Sequence, residues 1–61
     1  MPDTTEVELE GHVVRRTNMA ILFFVEDDAE QHWFPLSVCR LSDDEESIFI
    51  PRWLAKKQGL D

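Results

Sequence analysis

The 61-residue chain has one cysteine, two glycines, no tyrosine, and six lysines and arginines against thirteen aspartates and glutamates. A lone Cys39 cannot close an intramolecular disulfide and supplies too few thiolates for a structural zinc site, a usage that fits a reducing compartment. No apolar run approaches the roughly 18 residues that a membrane span requires, and no apolar segment follows a basic N-terminus as in a secretory signal. A cytoplasmic protein that does not enter the membrane is expected. The shortage of cations leaves a formal net charge of −7. Direct binding of DNA or RNA is therefore disfavoured, because there is no evident basic stripe to neutralise phosphates. At this length one core contributes only ~3–5 kcal/mol net, and little chain remains to wall a ligand cleft of roughly 300–1,000 Å³. Neither an enzyme nor a cofactor is expected, and dimerisation or partner binding would add stability.

What is present is mostly β patterning. Residues 5 to 16 alternate, with Val7, Leu9 and Val13 on one side and Glu6, Glu8, Glu10 and His12 on the other, the period of a half-buried strand. Gly11 occupies an inward position, where a missing side chain marks a bulge or sharp bend. Thr17 and Asn18 supply turn chemistry, and Ala20 to Val25 resumes as a second strand, apolar on both faces. Asp27 and Asp28 turn the chain into a short strand, Gln31 to Phe34, which Pro35 ends. Leu36 to Leu41 reads as a turn followed by a short strand, Ser42 to Ser47 as an acidic loop, and Ile48 to Ile50 as a last β run. Pro51 suits the first position of a helix over about 51–58, with Lys56 and Lys57 at its negative end and Gly59 as its left-handed terminator. Trp53 and Leu54 are the anchors for docking it, because so short a helix does not persist alone. The expected fold is mainly β with one C-terminal α-helix. Four or five strands would form a small Src-homology-like barrel or a strongly bent antiparallel sheet, in a single domain.

Twelve of the carboxylates fall into three groups: Asp3, Glu6, Glu8, Glu10; Glu26, Asp27, Asp28, Glu30; and Asp43, Asp44, Glu45, Glu46. None contains a lysine or arginine. A solvated surface that keeps a small domain soluble accounts for such clustering. A recognition surface accounts for it equally. Glu6, Glu8 and Glu10 would form a row with about 6.5–7 Å between neighbours, near the phosphate spacing of a nucleic-acid strand, and such a row attracts a basic channel. Glu6, Glu8, Glu10, Asp27, Asp28, Glu30, Asp43, Asp44, Glu45 and Glu46 are the candidate partner-binding residues. The acidic loop lacks the glycine and ligand spacing of a helix-loop-helix calcium site. Cys39, His12 and His32 carry no local motif for a metal or a nucleophile, so no catalytic or metal-binding residue is assigned. Trp33 and Trp53 read as core and helix-docking residues rather than a stacking platform for bases.

Thr17-Asn18-Met19-Ala20, Trp33-Phe34-Pro35-Leu36-Ser37 and Ile50-Pro51-Arg52-Trp53-Leu54-Ala55-Lys56-Lys57-Gln58-Gly59-Leu60 follow the opening acidic strand. Together they resemble small acidic phage and prophage proteins with T-x-x-A, W-x-P-x-S and I-P-x-W-L-A-x-K-x-G-L segments. The likeness covers most of the chain, but its motifs are structural punctuation with no catalytic residue attached. Phage proteins of this size and charge include anti-CRISPR inhibitors, some with DNA-like acidic surfaces. The resemblance thus implies a non-enzymatic inhibitor of a basic, nucleic-acid-handling host defence complex, such as a CRISPR effector in the bacterial cytoplasm. Two other readings stay open: an accessory protein that binds a partner or itself through the apolar strand around Phe23 and Phe24, and a nucleic-acid-binding barrel using Trp33, Arg15 and Arg16. Monomer and homodimer are both compatible with the sequence.

Overall fold

A computed structural model describes residues 5–60. Five antiparallel strands, β1 (Glu6–Arg16), β2 (Ala20–Val25), β3 (Glu30–Pro35), β4 (Arg40–Leu41) and β5 (Ser47–Pro51), form one sheet, followed by the helix α1 (Arg52–Lys57). The strand order is β3-β2-β1-β5-β4. The sheet is bent and open, so of the two expected architectures the bent sheet is the one formed. No helix among the described residues is long and apolar enough to cross a membrane.

The alternation of β1 sets the arrangement. Leu9 is buried and Val7 and Val13 are partly buried, whereas Glu6, Glu8, Glu10 and His12 are exposed. The first half of the strand pairs with β5, from Glu6 opposite Pro51 to Glu10 opposite Ser47. The second half pairs with β2 on the other edge, from Gly11 opposite Val25 to Arg16 opposite Ile21. Gly11 sits where one partner is exchanged for the other. A Cβ there would lie 1.7 Å from the Phe24 carbonyl oxygen, so only glycine allows the backbones to come this close. The extra residue that shifts the register falls slightly later, between Val13 and Arg15.

The β1–β2 turn is closed by Thr17 rather than by Asn18. The Thr17 hydroxyl accepts from the Met19 and Ala20 N–H groups at 3.3 and 3.1 Å, and positive φ occurs elsewhere, at Ala29, Glu45 and Gly59. Pro35 is the last residue of β3, although one more backbone bond, from Leu36 N–H to the Met19 carbonyl at 2.9 Å, follows it.

The core comprises Leu9, Ile21, Phe23, Val25, Phe34, Ile48 and Ile50 from the sheet, with Leu54 and Ala55 from α1. Two sequence expectations change here. Trp53 is 37% exposed and Trp33 45%, so neither is a core residue; α1 docks through Leu54 and Ala55. Pro51 lies just outside α1 with φ −64° and ψ 147°, and the Arg52 N–H is capped by the Thr5 carbonyl at 2.7 Å. At the other end Gly59 has φ 77°, its N–H donates to Lys56 and the Leu60 N–H donates to Ala55, which closes the helix with a Schellman turn. The side chain of Gln58, the C-cap of α1, then donates to the Trp33 carbonyl at 3.0 Å, tying that end of the helix to the edge strand β3.

Candidate partner-binding site

The partner exchange at Gly11 gathers acidic residues that are far apart in the chain. On one side the Gly11 N–H donates to the Glu46 carbonyl, and on the other the Glu26 N–H donates to the Glu10 carbonyl, both at 2.9 Å. The β4–β5 loop and the β2–β3 turn are thereby drawn to the same point of β1. Between them lies an open cleft of about 330 Å³ lined by Glu10, Gly11, Glu26, Asp44, Glu46 and Ser47. Each of the three acidic groups of the sequence contributes at least one of these four carboxylates.

The remaining candidates have other surroundings. Glu6 is held by Arg40 at 3.0 Å, and the Arg40 guanidinium lies 4.3 Å from the centre of the Phe49 ring. Glu45, at φ 60°, pairs with Arg16 at 2.8 Å. Both pairs are solvent-exposed and worth little to stability, about 0–1 kcal/mol, but they partly neutralise Glu6 and Glu45. Two of the three acidic groups thus each have one member paired with an arginine distant in sequence. Glu8 is exposed on the outer face of β1, opposite Phe49, and Asp27 and Asp43 are exposed in their turns. Asp28 meets the His32 ring at 2.8 Å, with Glu30 nearby. Asp3 lies outside the described residues.

Burial raises the Asp28 carboxyl, but hydrogen bonds from His32 and the Glu30 N–H, with the charge of His32, outweigh it and hold Asp28 below the usual carboxylate range. Asp44 is likewise lowered, by hydrogen bonds from the Glu46 N–H and the Ser42 hydroxyl. Burial pushes the Cys39 thiol up, away from the thiolate a nucleophile requires. Glu26 is the cleft carboxylate missing from the sequence candidates. Its signal was its position directly after the last buried residue of β2, one residue before the turn aspartates.

The opposite half of the sheet has a different outer face. Ala20, Leu22 and Phe24 of β2 are half-buried and stand opposite Pro35, Trp33 and Gln31 of β3. His12 stacks on Phe24 with ring centres 5.1 Å apart. Phe23 is fully buried in the core, so of the two phenylalanines considered for an apolar interface only Phe24 is on the outer face. Fold and cleft together define a small bent β-sheet protein with an acidic concavity at its strand crossing. No protein-family model, no curated protein and no solved structure matches the chain.

Proposed function

We propose that this protein is a non-enzymatic binding module that docks an acidic surface on a basic, nucleic-acid-handling protein complex. The convergence of Glu10, Glu26, Asp44 and Glu46 on one open cleft carries this reading. Carboxylates crowded without a cation between them repel one another, and a lysine or arginine brought in by a partner relieves that repulsion. The cleft is open to water, which suits a docking surface better than general acid–base chemistry, where two carboxyl groups must sit in different environments. The resemblance to small acidic phage proteins narrows the partner to a host defence complex, making the protein an inhibitor of the anti-CRISPR type. The guide-holding channels of such complexes are positively charged.

Binding of the full chain to purified RNA-guided effector complexes, measured by interferometry at about 50 and 200 mM salt, tests this reading. The expected result is an affinity that falls with salt and is lost on combining Glu10→Lys, Glu26→Lys and Glu46→Lys. An affinity indifferent to both overturns it.

The outer face of Leu22, Phe24 and the 45%-exposed Trp33 favours a second reading, self-association or partner binding through apolar surface. A dimer mass in solution that reverts to monomer with Trp33→Asp supports self-association, and a monomeric parent removes it.

A further inference from the structure

We propose that Asp28, Glu30 and His32 form a binding site for one divalent transition cation of the zinc class. Asp28 lies in the β2–β3 turn, and Glu30 and His32, two residues apart on β3, project to the same side of the strand. Ala29 takes a left-handed backbone, φ 55°, while the Asp28 Oδ1 accepts from the Glu30 N–H at 3.0 Å. The second oxygen, Oδ2, is then 2.8 Å from His32 Nε2. One donor atom from each residue lies within 4.8 Å of the other two.

Zinc takes N and O ligands at about 2.0–2.2 Å, which puts tetrahedral donors roughly 3.3 Å apart. The cation therefore enters by opening the Asp28–His32 contact slightly and drawing in the exposed Glu30 side chain. Any hydrogen on Nε2 in that contact leaves to solvent as a proton when the nitrogen ligates the cation. The imidazole separates this group from the acidic loop at Asp43 to Glu46, which offers oxygen alone. Nitrogen ligation selects zinc and its neighbours over magnesium and calcium. His32 is partly buried, its side chain 13% exposed, and its ring lies 6.1 Å from that of Phe34, which restrains the donor before any cation arrives. Three protein ligands leave a coordination position for water. The sequence hid this site because its residues alternate without a known metal spacing, and only the turn brings Asp28 back against β3.

Calorimetric titration of the full chain with ZnCl2, and with CoCl2 followed by visible absorption, tests the proposal. The expected result is saturation at a single equivalent, cobalt d–d bands of a low-coordinate site, and no displacement by MgCl2. Glu30→Gln and His32→Gln should each weaken binding by about tenfold or more, while Asp43→Asn leaves it unchanged. Circular dichroism checks the fold of each variant, and Glu30→Gln, at an exposed position, decides the matter if His32→Gln unfolds. Absence of saturable binding, displacement by magnesium, or equal weakening by Asp43→Asn would show mere cation condensation on an acidic surface and overturn the site.

Discussion

Before Gly11, β1 presents Glu6, Glu8 and Glu10 to solvent beside β5, and the one large apolar side chain on that outer face, Phe49, is covered by Arg40. After Gly11 the sheet continues into β2, whose outer face carries Ala20, Leu22 and Phe24, with Trp33 beyond them on β3. The two halves share one buried core and differ in what they offer the outside. Polar side chains on a strand face leave water in place, whereas half-buried apolar ones rest on their cross-strand neighbours. One half is thus an electrostatic surface and the other an adhesive one, and Gly11 lies where the two meet.

The comparison breaks most completely at that glycine. Gly11→Ala forces a Cβ into the Phe24 carbonyl and should cost about 3 kcal/mol or more, enough to unfold a domain of this size; urea denaturation, or loss of dispersed amide signals, checks it. A smaller effect sharpens the contrast between the halves. Phe24→Ala, which removes a half-buried ring stacked on His12, should destabilise by about 1–2 kcal/mol. Glu8→Ala, on the polar half, should change stability by no more than ~0.5 kcal/mol in the same denaturation assay.

The smallest effect concerns the acidic cleft itself. Asp44 is held below the usual carboxylate range in the folded state, so its ionised form stabilises the fold above that range and the contribution disappears as the pH falls through the lowered value. Asp44→Asn should therefore melt below the parent at about pH 7, with the difference shrinking as the pH falls through the lowered value, in thermal scans across the acid range.

Local chemistry made much of the fold readable. Alternation in β1, the turn aspartates, the proline before α1 and Gly59 beyond it are each recorded within a few residues, and the structure follows them closely. The errors share a cause. Trp33 and Trp53 looked like core because they are large and apolar, but burial is decided by which face the neighbouring strand covers. Phe23 and Phe24 are chemically identical neighbours, and only the register of β1, β2 and β3 separates a core residue from a surface one. The candidate site was readable as composition, three runs of carboxylates, and unreadable as geometry. Glu6 and Glu45 found arginine partners 34 and 29 residues away, while Glu10, Glu26, Asp44 and Glu46 line one open cleft.

The sequence by itself determined the sign of the surface, the β character of the chain and the position of the helix, because charge and periodicity act over short stretches. Only the tertiary structure decided which carboxylates share a cleft, which are paired with arginine, and where an imidazole meets one of them. Those outcomes depend on backbone contacts made across the Gly11 crossing and within the β2–β3 turn, and contacts between residues far apart in the chain leave no periodic trace along it.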